Sequence, residues 1–136
     1  SFETFYLGLL AEAHSEAGTA RGGMQRAAEA LTLVDCTGER FYEAELHRLR
    51  GHLLEQSDTA DKAEIAACYQ RAMELASSQA ARSLELRAAT SLARLWQEQG
   101  RTAEAHDALA EVYGWFTEGF DTRDLKEART LLDQLS

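Results

Sequence analysis

The decapeptide "LARLWQEQGR" (residues 92–101) has two counterparts elsewhere in the chain, and this internal repeat determines the predicted fold. The segments "LLAEAHSEAG" (9–18) and "LRGHLLEQSD" (49–58) also place a small residue after an apolar one and a bulky residue three positions later. The small residues of the three segments are Ala11, Gly51 and Ala93. Spacings of 40 and 42 residues are typical of stacked helix pairs, whose two helices come closest where a side chain is small.

Composition and regularly placed breakers extend this pattern over the whole chain. The 136 residues include no proline, and 45% of them are hydrophobic. Glycines and short polar clusters divide the chain into helical stretches. The seven predicted helices cover residues 2–17, 21–36, 39–56, 60–78, 82–99, 102–117 and 122–135. We therefore expect an all-α fold with three antiparallel helix pairs, stacked in a right-handed superhelix, and a C-terminal capping helix. The pairs form repeats 2–37, 39–79 and 82–118 of a single domain, residues 1–136.

The repeat resembles the tetratricopeptide pattern, which combines a small and a bulky residue in the first helix, a glycine in the turn and packing positions in the second helix. The bulky positions hold His14, Leu54 and Trp96. Gly18 and Gly100 occupy the turn, where the middle repeat has Asp58. The second-helix packing positions hold Ala27, Tyr69 and Leu109. The repeats lack the usual proline and exceed the usual length of about 34 residues.

Three further stretches carry a more specific resemblance. They are "GERFYEAELHRLRG" (38–51), "ARSLELRAATSLARLWQEQGR" (81–101) and "VYGWFTEGFDTRDLKEARTLLDQL" (112–135). Together they resemble the C-terminal repeat region of large bacterial adenylate/guanylate cyclase-like signalling proteins, which also contain a P-loop ATPase module. The resemblance runs from about Phe5 to Leu135 and implies no catalytic residue in this chain, which has no Gly-x-x-x-x-Gly-Lys-Ser/Thr motif. Because the chain does not begin with Met, we expect it to be a piece of such a protein.

The stretch "GERFYEAELHRLRG" is rich in residue types that occur in catalytic and metal sites, but helical periodicity separates these residues onto different faces. Tyr42, Leu46, Leu49 and Leu53 share one stripe, the predicted core face. Glu43 and His47 lie one turn apart, yet a zinc site needs three or four ligands, and no His-Glu-x-x-His motif is present. We interpret them as an i,i+4 pair and predict no metal, no cofactor and no enzyme activity.

The remaining polar face of this helix is the predicted binding surface, because the first helix of each pair lines the concave side of a tetratricopeptide stack. The predicted groove comprises Glu12, Glu16, Glu45, Arg48, His52, Glu55, Arg87, Thr90, Arg94 and Gln97. It is acidic at its N-terminal end and basic at its C-terminal end. Such polarity suits an extended peptide or a helix of mixed charge.

Charge and hydropathy restrict the kinds of partner. A net charge of −9 would repel a phosphate backbone, so we expect no nucleic-acid binding. No apolar run approaches the ~20 residues that a membrane span needs. The two cysteines, Cys36 and Cys68, lie far apart and are interpreted as free thiols in a reducing cytoplasm.

The two ends of the chain differ in predicted character. The first helix exposes an apolar face comprising Phe2, Phe5, Tyr6 and Leu9, which a preceding repeat would cover or which would form a homodimer. At the other end, Trp115, Phe116 and Phe120 are expected in the core beside the last helix. The apolar face of that helix holds Leu125, Ala128, Leu131, Leu132 and Leu135, and Glu127, Arg129 and Asp133 are expected to face outward.

The sequence therefore predicts a non-catalytic protein-interaction or intramolecular regulatory scaffold. One alternative is a structural spacer or dimerisation module that supports the parent protein. Another is a small-molecule sensor with a pocket near Trp96 and Tyr113. The sequence does not identify the ligand.

Overall fold

The computed structural model describes residues 43–57 and 60–136, and within these ranges the secondary structure is helical, without strands. Five helices follow one another: α1 (Glu43–Glu55), α2 (Lys62–Ser78), α3 (Arg82–Glu98), α4 (Thr102–Tyr113) and α5 (Arg123–Leu135). The all-α prediction is confirmed for this part of the chain. Predicted helices 2–17 and 21–36, the groove residues Glu12 and Glu16, and the apolar face Phe2, Phe5, Tyr6 and Leu9 lie outside the described residues.

Short connections hold consecutive helices side by side. Residues 79–81 join α2 to α3, and residues 99–101 join α3 to α4. Both turns close with a hydrogen bond from a backbone N–H to a carbonyl five residues earlier, which is the Schellman pattern. In each turn one residue has a left-handed backbone conformation. It is Ala80, with a φ of 56°, in the first turn and Gly100, with a φ of 77°, in the second. Connections this short make neighbouring helices antiparallel.

The helices form two layers. Each helix packs against the next, and in addition α1 contacts α3 and α3 contacts α5. Among the described helices, α2 and α4 do not contact each other. The odd-numbered helices therefore form one continuous layer, and α2 and α4 lie behind it.

A close approach between α1 and α2 depends on Gly51. A Cβ atom at this position would lie 2.6 Å from Cε1 of Tyr69, a residue that is completely buried. No side chain larger than hydrogen fits there unless the Tyr69 ring moves, as the small-residue repeat predicted. Tyr69 in turn belongs to a small core cluster with Ile65, Leu92 and Leu95.

The main core fills the space between α3, α4 and α5. Its members are small or aliphatic, which allows the three helices to pack closely. They are Leu86, Ala89, Ala93, Ala105, Leu109, Val112, Leu125, Ala128, Leu131 and Leu135. The predicted apolar face of the last helix is thus buried, with Leu132 partly buried against the same cluster.

The segment between α4 and α5 differs from the prediction. Helix α4 ends at Tyr113 instead of residue 117, because Gly114 is followed by tight turns in which Trp115 and Phe116 bond to carbonyls three residues earlier. Trp115 and Phe120 were expected in the core, but they are 43% and 45% exposed. The Trp115 ring instead stacks under the Arg82 guanidinium, 4.1 Å from the ring centroid, where a cation–π contact replaces apolar packing.

Candidate functional site: an arginine-lined cleft

A cleft of about 270 Å³ crosses the layer formed by α1, α3 and α5. All three helices and the residue that precedes α5 contribute polar side chains to its walls. We call it the arginine cleft and define it by its lining residues: Arg48, His52, Arg87, Thr90, Ser91, Arg94, Thr122, Arg123, Asp124 and Glu127.

One chain of ion pairs crosses the cleft from α1 to α5. Arg48 donates through two nitrogens to the Glu45 carboxylate, with Nε 3.1 Å from Oε2. Arg87 on α3 reaches the same carboxylate at 3.5 Å and donates from Nε to Oδ2 of Asp124 at 2.9 Å. Burial disfavours the charged Glu45 carboxylate, but the hydrogen bonds and charges of Arg48 and Arg87 outweigh this effect and lower its pKa. Glu45 therefore stays ionised and fixes the position of both guanidinium groups.

A second chain of ion pairs, centred on Glu127, is looser. Arg123 donates from Nε to Oε1 of Glu127 at 2.9 Å, whereas Arg94 NH2 lies 3.6 Å from Oε2. Glu127 was expected to face outward, but it lines the cleft because α5 packs directly against α3. The hydrogen bond from Arg123 is the main cause of the lowered Glu127 pKa. Arg94 therefore keeps the weaker of the two contacts with this carboxylate.

Hydroxyl and imidazole groups form the floor of the cleft. Thr90 is buried and donates its hydroxyl to the Leu86 carbonyl at 2.8 Å. Ser91 is also buried, and its Oγ lies 3.3 Å from Nε2 of His52. The His52 and Tyr69 rings form a T-shaped contact, with 5.7 Å between ring centroids. Burial, followed by the charges of Arg48 and Arg94, lowers the His52 pKa to about 4, so the ring is neutral at pH 7.

The cleft is positive although the whole chain is acidic. Four arginines face two carboxylates along its walls, and a third carboxylate, Glu45, binds two of those arginines, so the net formal charge is +1 when His52 is neutral. The chain as a whole carries −9. Such separation of charge directs anionic ligands to the cleft. The arrangement can therefore bind carboxylate or similar anionic groups through charge-assisted hydrogen bonds.

The structure brings part of the predicted groove together. Arg48, His52, Arg87, Thr90 and Arg94 all line the cleft. Glu45 contributes indirectly, through the two arginines it binds.

Two predicted groove residues, Glu55 and Gln97, are not among the lining residues. The Glu55 carboxylate accepts a hydrogen bond from the Tyr69 hydroxyl, which turns it towards α2 and away from the cleft. Burial raises the Glu55 pKa.

Sequence reasoning missed the wall that α5 contributes. The cleft is also lined by Thr122, Arg123, Asp124 and Glu127, because α5 continues the layer of α1 and α3, whereas it was interpreted only as a cap. A signal was present in the sequence. Arg123, Asp124 and Glu127 are charged residues that lie beside the apolar stripe of α5.

A second, more open cavity of about 440 Å³ lies between α4 and α5, lined by Tyr113, Phe120, Lys126, Arg129 and Thr130. Trp96, which the sensor hypothesis placed beside Tyr113, is not part of this lining. Trp96 instead packs against both core clusters, and Arg101 covers its ring at 4.5 Å from the centroid. The pocket near Trp96 and Tyr113 stays a prediction.

Within residues 43–57 and 60–136, no group of three or more His, Cys, Asp or Glu side chains could hold a metal ion. In the same part of the chain, no helix combines the length and the apolar character that crossing a membrane requires. No family model, curated protein or solved structure matches this chain.

Proposed function

We propose that this chain is a non-catalytic protein-interaction module whose arginine cleft binds an acidic segment of a protein. That segment belongs to a partner or to another domain of the same parent chain. The observation that carries the proposal is the convergence of four arginines from three helices on one cavity, in a chain of net charge −9. Planar guanidinium groups bind carboxylates in a bidentate manner, which favours acidic side chains as the groups recognised.

The four arginines have different parts in this recognition. Arg48 is only 13% exposed and held by Glu45, so it contributes mainly its positive field. Arg94 is 48% exposed, and its only ion pair within the described residues is the 3.6 Å contact with Glu127. Exposed ion pairs of this kind contribute little stability, so Arg94 can turn to a ligand carboxylate at small cost. Arg94 is therefore the proposed primary contact.

The contacts between helices support the architectural part of the proposal. A layer in which α1, α3 and α5 touch in sequence, with α2 and α4 behind it, fits a tetratricopeptide-like solenoid with the cleft on the inner side. The resemblance to cyclase-like signalling proteins suggests the kind of parent protein in which the module works. In that setting the module would lie in the cytoplasm, and the acidic segment would belong to a regulatory partner or to the parent protein itself.

Fluorescence anisotropy with the 136-residue chain tests the proposal. The probe is a fluorescein-labelled peptide of consecutive glutamates, and the same peptide of glutamines is the control. We expect saturable binding of the glutamate peptide that weakens as salt is added, because exposed charges are screened. The Arg94→Ala variant should bind about tenfold more weakly, because one charge-assisted hydrogen bond is lost.

Arg71→Ala is the matched control variant. Arg71 is 52% exposed on α2 and pairs with Glu74 at 3.3 Å, so its removal makes the same charge change outside the cleft. This variant should bind like the original chain. Equal weakening by both substitutions, or equal binding of both peptides, would show attraction without a site, and the spacer alternative would then be favoured.

A further inference from the structure

His52 differs from the other lining residues of the arginine cleft because it is neutral and becomes a cation when it takes up a proton. It lies on α1 in the lining of the cleft and contacts both Tyr69 of α2 and Ser91 of α3. A serine hydroxyl both donates and accepts hydrogen bonds. The Ser91 hydroxyl can therefore donate to a neutral His52 ring or accept from a protonated one, without movement of either helix.

Charged or titratable groups of the surrounding helices lie near this ring or line the same cavity. On α1 these are Arg48, Glu45 and Glu55, and α2 contributes the Tyr69 hydroxyl, which is bound to Glu55. Arg87 and Arg94 extend from α3, and Arg123, Asp124 and Glu127 of α5 line the same cavity. After burial itself, the charges of Arg48 and Arg94 are the largest causes of the low His52 pKa, and Glu45 opposes them.

A bound anion would reverse this balance. The two arginines that disfavour a proton on His52 belong to the group that would bind a ligand carboxylate. A carboxylate beside them would place a negative charge near the ring, which offsets the positive field of the arginines and favours the protonated form.

We propose that binding of an acidic segment in the arginine cleft draws a proton onto His52, which then becomes an additional cationic donor to the ligand. The proposal rests on the proposed function and names the residue that makes recognition depend on pH. Its consequence is that the cleft holds an acidic segment more tightly in mildly acidic solution.

Linkage gives the size and direction of the effect. Return of the His52 pKa from about 4 in the empty cleft to its ordinary value of about 6.5 in the complex would raise affinity by about tenfold between about pH 7.5 and about pH 5.5, which is an upper limit because the ring stays buried. An isolated glutamate has a pKa of about 4.3, and repulsion between consecutive glutamates raises this value in the probe. Loss of ionisation in acid weakens binding of the probe, so a gain in affinity at lower pH is opposite in sign to the contribution of the probe.

The experiment measures binding of the fluorescein-labelled glutamate peptide to the 136-residue chain at both pH values. We expect a gain approaching about tenfold for the original chain and less than about a twofold gain for His52→Gln, whose amide keeps a hydrogen bond to Ser91. His106→Gln is the matched control, because His106 lies on α4 outside the cleft, and this variant should keep the full gain.

A second experiment measures the pKa of His52 directly in the original chain. NMR titration of the histidine rings, with and without saturating peptide, should move the midpoint of the His52 signal from near 4 to above about 6. Binding with an unchanged His52 midpoint and equal affinity at both pH values would overturn this proposal and leave the proposed function standing. Absence of binding at both pH values would overturn the two together.

Discussion

Helices α1 and α3 each have one face in the core and one face in the arginine cleft, and the two faces are built on different physical principles. Towards α2 and α4 the side chains are small or aliphatic and completely buried, as with Ala93 and Leu95. Towards the cleft they are arginines, hydroxyls and one histidine, held by ion pairs and hydrogen bonds. The core face therefore determines how the helices pack, whereas the cleft face carries charge at little cost to stability.

The largest expected effect comes from enlarging a gap in the core face. Leu95 is completely buried in the cluster with Ile65, Tyr69 and Leu92. Leu95→Ala removes three carbon atoms from this cluster and should lower the free energy of unfolding by about 3 kcal/mol, because the neighbouring side chains refill the cavity only in part. Urea denaturation followed by circular dichroism measures the change. A loss below about 1 kcal/mol would contradict close packing at this position.

The next effect comes from adding volume where α1 and α2 approach each other. Gly51→Ala places a methyl group against the buried Tyr69 ring, where an ideal Cβ would lie at 2.6 Å. The expected loss is about 2 kcal/mol, although alanine is the better helix former and would otherwise stabilise α1. The double variant Gly51→Ala with Tyr69→Leu should show a smaller cost for the glycine substitution, because the clashing ring is gone. Equal costs in both backgrounds would rule out a clash with Tyr69 as the cause.

On the cleft face, His52 should cause a loss of stability of comparable size, but only in acidic solution. Because the His52 pKa is lowered to about 4 in the folded chain, unfolding allows the ring to take up a proton between about pH 6.5 and pH 4. Stability is therefore complete above that range and falls as the pH decreases through it, by about 2 kcal/mol at about pH 5. The His52→Gln variant should lack this part of the loss when both chains are denatured with urea at each pH. Parallel stability curves for the two chains would show that His52 is not held neutral.

Smaller changes in stability, of opposite sign, are expected from substitutions in the two inter-helix turns. Ala80 and Gly100 occupy equivalent left-handed positions, and only glycine adopts that conformation without strain. Ala80→Gly should raise the free energy of unfolding by about 1 kcal/mol, and Gly100→Ala should lower it by a similar amount. Thermal denaturation of both variants measures the pair. Changes of the same sign would show that the two turns are not equivalent.

The core face was predictable from the sequence, and the cleft face only in part. Regular spacing of small and apolar residues placed Gly51, Leu46 and Leu49 towards neighbouring helices, because periodicity reports the side of a helix that is buried. The same periodicity placed Arg48 and Arg94 on the polar side. It could not show that Glu127 turns into the cleft or that Glu55 turns to Tyr69, since those positions depend on contacts between helices.

The smallest expected change in stability is at Arg94, the direct neighbour of Leu95 on α3. Its side chain is 48% exposed and reaches Glu127 only at 3.6 Å, so Arg94→Ala should change the free energy of unfolding by less than about 0.5 kcal/mol. The same substitution should weaken binding of the glutamate peptide by about tenfold. Urea denaturation and anisotropy on one preparation therefore separate the two faces of a single helix. A large loss of stability at Arg94, comparable to that at Leu95, would mean that the arginine supports the packing of α5 on α3 and is not free to serve a ligand.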